Sequence, residues 1–210
     1  MNEEHERTDQ FQKVAAQAEQ RFESKIGIDA FKEDWNLSQF WYDDATANLL
    51  ADELLEGADA NTQIVIVSAP SVYGAISKRN QNDLPTKHIY LLEFDDRFSI
   101  LAGDKFVHYD FVRPLDLPKS LAGTFDRILV DPPFLSEDCQ TKASLTARWL
   151  TKKDDPRIIV CTGERMGDLI KKVYPTTRET SFHPEHGKGL SNEFRCYASY
   201  ESKNWRFVLR

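Results

Sequence analysis

The sequence is poor in several residue classes, and each shortage excludes something. It has only three cysteines in 210 residues. They lie far apart with no CxxC spacing, which leaves no basis for a disulfide framework or a zinc ribbon. Cys139, Cys161 and Cys196 read instead as core residues of a chain kept in a reducing, cytoplasmic compartment. No apolar run exceeds four residues, Ile64 to Val67 being one of the longest, so no helix is expected to span a membrane. The opening MNEEHERTDQ has no apolar segment of the kind a secretory signal needs. Glycine and proline, at nine each, are too sparse for collagen-like or low-complexity chains. Positive charge is also short: 34 acids against 27 bases give a net charge of −7. Nucleic acid is therefore not an expected partner, because phosphate neutralisation needs clustered Lys and Arg.

Apolar residues make up 40% of the chain and include thirteen Phe, seven Tyr and four Trp, enough to fill the core of one mid-sized domain. Residues 1–30 are strongly polar, yet Phe11, Val14, Ala15, Ala18 and Phe22 recur at helical spacing. They predict an amphipathic helical appendage ahead of a domain over 31–210. A helix is expected over 43–56, with Asp43 as N-cap, Ala47, Leu50, Ala51 and Leu54 inward, and Gly57 as its stop. A second is expected over 136–152, capped by Ser136, with Glu137 and Asp138 suiting its positive first turn. A third should run from about 164 to 174.

Short β-branched or apolar runs at 63–67, 88–92, 106–111, 125–130 and 157–161 read as strands buried on both faces. Strand alternating with helix makes a parallel sheet with right-handed crossovers. The stretches 177–183 and 193–200 then read as two strands with no helix between them. The expected fold is α/β, a doubly wound, mostly parallel sheet ending in an antiparallel hairpin. Such sheets bind ligands beyond the carboxyl ends of their strands.

Those strand ends hold the candidate residues. The first ends in Ser68-Ala69-Pro70-Ser71, the second in Glu93-Phe94-Asp95, the third in Asp110-Phe111 and the fourth in Asp131-Pro132-Pro133-Phe134. Glu93 is where a ribose-binding carboxylate sits in dinucleotide-type sheets, and Asp95 reads better as a helix cap. Asp110 can face an adenine amino group with Phe111 against the ring, or act only as a turn acid. The fourth end is the sharpest signal. Its prolines stop the strand and remove two N–H donors, so that Asp131 and the Pro132 carbonyl can both accept from one amino nitrogen. Phe134 offers a π face to the charge that builds there. His183-Pro184-Glu185-His186 reads as a loop rather than a metal site, because a third ligand is lacking. Lys188 and Arg195 suit either substrate contact or plain surface.

The Asp131–Phe134 quartet resembles motif IV of class I S-adenosylmethionine-dependent amino-methyltransferases. Three further segments, Asn36 to Tyr42, Ser68 to Tyr73 and Asn192 to Tyr197, extend the likeness. Together the four resemble the elongation factor 1A lysine methyltransferases once grouped with N6-adenine methyltransferases. The resemblance implies a Rossmann-like methyltransferase that uses S-adenosyl-L-methionine and takes elongation factor 1A as its protein substrate. It implies that Asp131, Pro132, Pro133 and Phe134 receive the target amine. It also implies that Ser68, Ala69, Pro70 and Ser71 hold the methionine end of the cofactor, and that Gln39, Trp41 and Tyr42 cover it. The strand-one turn departs from the glycine-rich class I pattern, so the Ser68 and Ser71 hydroxyls would substitute for backbone donors. Asp131 is expected as a full carboxylate that binds and orients the amine, which loses its proton to water before attack. No oligomer seam is legible, and a monomer is expected.

Overall fold

The computed structural model describes residues 41–187 and 193–209. The expected appendage at 1–30, Gln39 and Lys188 lie outside these residues. Seven strands form one sheet in the order β3-β2-β1-β4-β5-β7-β6. They are β1 (Ile64–Val67), β2 (Ile89–Glu93), β3 (Phe106–His108), β4 (Arg127–Val130), β5 (Arg157–Gly163), β6 (Arg178–Glu179) and β7 (Phe194–Ala198). The first five are parallel, and β7 enters antiparallel between β5 and β6.

Every residue of β1 and β4 is buried, as an interior parallel strand requires. Helices α1 (Asp44–Leu55) and α2 (Pro70–Ser77) cover one face of the sheet, and α4 (Glu137–Leu150) and α5 (Gly167–Val173) the other. Between them in sequence, α3 (Ser99–Ala102) is a single turn on the way from β2 to β3. On the α4 side, Val65, Val67, Ile128, Val130 and Val160 interlock with Ala143, Ala147, Leu150 and Ile170. The chain order reverses between β1 and β4, the position at which a doubly wound sheet opens a crevice.

The caps are where local chemistry puts them. Asp43 Oδ1 accepts from Thr46 N at 2.7 Å, and Ser136 Oγ accepts from Cys139 N at 3.3 Å. Gly57 takes φ +66° just beyond α1, a conformation that favours glycine. Two strands are shorter than their sequence runs. β3 ends at His108 because Asp110 turns the chain, its Oδ1 accepting from Val112 N at 2.9 Å. β6 is two residues long, since beyond it Ser181 N bonds Arg206 O and Thr180 bridges Phe207. That C-terminal stretch buries Trp205 and covers α1. The buried Glu53 carboxylate accepts from Ser202 Oγ and Asn204 Nδ2, each at 2.6 Å.

Candidate active site

Strand register brings three of the expected residues together. Val67 pairs with Leu92 on one side and with Val130 on the other. The residues that follow, Ser68, Glu93 and Asp131, therefore stand abreast at the carboxyl ends of three neighbouring strands. Ladder bonds carry through to them, Ser68 N donating to Leu92 O at 2.9 Å and Asp131 N to Val67 O at 3.1 Å. Adjacent strands lie about 4.8 Å apart, so the three side chains span one crevice.

The turn after β1 is tight. Ser68 has φ +58°, in the left-handed region that L-residues avoid, and Pro70 opens α2 directly after it. At a first helical position the missing proline N–H costs no hydrogen bond. Ala69 and Pro70 are buried, while Ser68 and Ser71 keep partial access to solvent.

Glu93 is buried, and its Oε1 accepts from Phe94 N at 2.9 Å and Asp95 N at 3.3 Å, which fixes the carboxylate's orientation. Phe94 is exposed and leans on the His108 ring at 5.5 Å. Asp95 caps a 3-10 turn and chelates Arg97, which holds its carboxyl below the usual range. Asp110 is engaged by its own turn and lies 3.8 Å from Arg113. Phe111 meets Phe134 edge to face at 5.6 Å, so the ends of β3 and β4 share one aromatic wall.

Asp131 differs from the expected plain carboxylate. Its carboxyl is dehydrated although part of the residue reaches solvent, and burial pushes its pKa up to about 7. The Tyr42 hydroxyl opposes that rise, and the nearby Glu93 charge adds to it. Near neutral pH, Asp131 is thus a mixture of acid and carboxylate. Tyr42 is itself buried, close to Asp131 and the Cys161 thiol, with no partner at full hydrogen-bond distance among the described residues. Burial and the Asp131 charge hold its phenol well above the ordinary range.

The Trp41–Tyr42 segment is tied to the loop before β7. Gly187 N donates to Trp41 O at 3.1 Å, Asp43 N to Glu185 O at 2.9 Å and Glu185 N to Thr46 Oγ1 at 3.0 Å. The His186 ring lies between Tyr42, at 5.0 Å, and Phe194, at 4.4 Å. The 183–186 stretch is thus a pairing loop. Arg195 is surrounded by Glu193 at 2.7 Å, Glu164 at 3.0 Å and Glu179 at 3.5 Å, an ion network that joins β5, β6 and β7.

Sequence reasoning missed the residues that brace the Asp131–Phe134 loop. Two prolines leave that loop few donors of its own, and side chains from elsewhere hold it. Buried Gln140 donates through Nε2 to Phe134 O at 2.9 Å, and Arg165 through Nη2 to Leu135 O at 2.9 Å. Leu135 packs so tightly on Gly163 that a Cβ there would stand 2.8 Å from its Cδ1. The spacing of Gln140 with Ala143, Ala147 and Leu150, all on the inner face of α4, is the signal that could have found it. The loop is open outward: Pro133 is exposed and Phe134 keeps 51% of its surface. A separate groove of about 620 Å³, near Lys153, Ile158 and Tyr174, lies at the opposite end of β5 and contains none of these residues.

A family model described as probable N6-adenine methyltransferase matches residues 33–202. The protein-lysine N-methyltransferase EFM5 of Saccharomyces cerevisiae is 54% identical, over 98% of this chain and 89% of its own length. The EEF1A lysine methyltransferase 1 of Homo sapiens is 39% identical, over 86% of this chain and 81% of its own. Among solved structures, the small RNA methyltransferase HEN1 shares the fold, with a TM-score of 0.52 at 8% identity over 78% of this chain and 26% of that one. The chain belongs to the probable N6-adenine methyltransferase family, alongside EFM5 and the EEF1A lysine methyltransferases.

Proposed function

We propose that this chain is an S-adenosyl-L-methionine-dependent protein-lysine N-methyltransferase that acts in the cytoplasm on translation elongation factor 1A. The observation that carries the reading is the alignment of Ser68, Glu93 and Asp131 across three strand ends, beside an open and externally braced Asp-Pro-Pro-Phe corner. The names of the relatives supply the substrate.

The donor set suits the cofactor. Glu93 offers an oriented carboxylate for ribose hydroxyls, and Ser68 and Ser71 offer hydroxyls beside the first turn of α2, next to buried Ala69 and Pro70. Phe94, Asp110 and Phe111 border the side where an adenine would lie; Trp41 packs on Phe98 at 5.5 Å, just beyond the Glu93–Asp95 turn, and Tyr42 lies near Asp131. When bound, S-adenosylmethionine supplies an electrophilic methyl group on a sulfonium.

The chain's own residues prepare the nucleophile. Asp131 in its charged form receives the lysine Nζ, and the donor-free carbonyl of Pro132 accepts a second hydrogen bond from it. Pro133 stiffens the corner, and the Phe134 face attends the growing positive charge. In water, lysine and aspartate pKa values differ by about 6.5, which makes proton loss from Nζ steeply uphill. Dehydration raises Asp131 to about 7 and lowers an entering lysine, which narrows that gap, while the attraction within the pair opposes it. Asp131 thus binds and orients the amine, whose proton passes to water before the neutral nitrogen attacks, and positioning supplies much of the acceleration.

The test incubates the purified protein with tritiated S-adenosylmethionine and, in parallel, with purified elongation factor 1A, RNA and DNA. Label in the elongation factor, lost on Lys→Arg replacement of the modified residue, is the expected result. Label in nucleic acid would establish adenine methylation instead. No label, with no cofactor binding by calorimetry, would leave a non-catalytic module.

A further inference from the structure

Exposed large apolar side chains are few among the described residues, and four of the seven lie along one path that starts at the site. Phe134, 51% exposed, touches Phe111, which precedes Val112 at 55%. The Asp110 turn presents Val112 outward, and three residues further on Leu115 is 50% exposed. Thr146 Oγ1 donates to Pro114 O at 2.8 Å, which draws the backbone beside Leu115 to the backbone beside Leu145, itself 41% exposed. The strip therefore runs from the mouth of the crevice onto the outer surface of α4.

Its margins are polar but already satisfied. Arg113 is paired with Asp110 and Asp116, and Lys142 with Asp138. An apolar centre with a self-compensated ionic rim is the anatomy of a protein–protein contact. It does not suit a charged small ligand, which would need uncompensated charge.

We propose that this strip is the docking surface for the protein substrate, gripping an apolar element that flanks the target lysine and so selecting the substrate around it. The inference rests on the methyltransferase reading of the site and names how that site recognises a protein. Its continuity with Phe134 picks the occupant, because whatever covers the strip also lies against the amine-binding corner. A lone lysine side chain carries too little distinctive surface to specify one protein, and a few buried anchors supply most of the binding energy in such contacts.

The test uses the full chain with Val112→Glu, Leu115→Glu and Leu145→Glu combined, all at exposed positions outside the catalytic corner. Affinity for purified elongation factor 1A is measured by biolayer interferometry, and methyl transfer is measured separately. Expected are about a tenfold or greater loss of affinity and an equal rise in KM. kcat, cofactor affinity and Tm should stay as in the wild type. Affinity within twofold of wild type overturns the docking surface, whatever happens to transfer. So does a wild-type dimer in sedimentation that the triple variant dissolves, since the strip would then serve a second copy. Strip-dependent binding with no methyl transfer by the wild type would uphold the docking surface and overturn the methyltransferase reading.

Discussion

Two turns leave neighbouring strands at the same edge of the sheet, and they are held in opposite ways. After β1 the chain reaches α2 within two residues, Ser68 and Ala69, and the helix itself fixes the turn. After β4 it runs from Asp131 to Ser136 before α4 begins, and its shape depends on Gln140, Arg165 and the bare Cα of Gly163. A turn that a following helix fixes can be local. A corner whose two prolines remove its own donors borrows rigidity from elements reached later in the chain.

The largest effect that would break this contrast is at Asp131. Asp131→Ala should lower turnover by about a thousandfold while cofactor affinity stays within a few-fold; unchanged turnover would remove Asp131 from the mechanism. Its ionisation gives the next test. Turnover should rise as pH passes through about 7, because only the charged form holds the ammonium. Stability should move the other way. The folded pKa lies above the unfolded value of 3.8, so stability from this group is full below pH 4 and is lost as pH rises through 7. Asp131→Asn should flatten its share of both profiles, read by initial rates and by Tm between pH 5 and pH 8.

Gln140→Leu probes the borrowed rigidity more finely. Among the described residues the buried Gln140 Oε1 has no hydrogen-bond partner, so an apolar replacement removes a cost together with the brace. Stability by urea unfolding should change by no more than about 1 kcal/mol. kcat should nevertheless fall about tenfold as the corner loosens. An unchanged kcat would mean that the prolines alone suffice. The smallest effect belongs to the self-contained turn. Ser68→Gly relieves a left-handed serine and should raise stability by up to about 1 kcal/mol. If the hydroxyl holds the cofactor, calorimetry should show weaker binding in the same variant.

Most of the sheet was legible because interior parallel strands are continuous apolar runs and carry their signal locally. So were the caps at Asp43 and Ser136, whose side chains bond the backbone three residues on. The site was legible in its list and not in its relations. Asp131 reads as an ordinary acid until register sets it beside Glu93 and folding sets it near Tyr42, 89 positions away. Nothing local encodes its dehydration. Glu53 and Gln140 were missed because a polar residue in a helix looks like surface until its partner, or its place on the inner face, is known. The runs at 106–111 and 177–183 overstated their strands, because an Asp110 turn and a competing partner at 206–207 end the pairing earlier than residue type suggests.

The clasp between Glu53 and residues 202–204 bears on how the protein is made. During synthesis α1 emerges from the ribosome about 150 residues before the groups that hydrogen-bond its buried Glu53 carboxyl. Until Ser202 and Asn204 arrive, that helix cannot settle on the sheet without burying a carboxyl group that lacks these donors. The nascent chain must therefore wait with one flank open, and a stop codon ahead of position 202 would leave a product suited to degradation rather than a shortened enzyme.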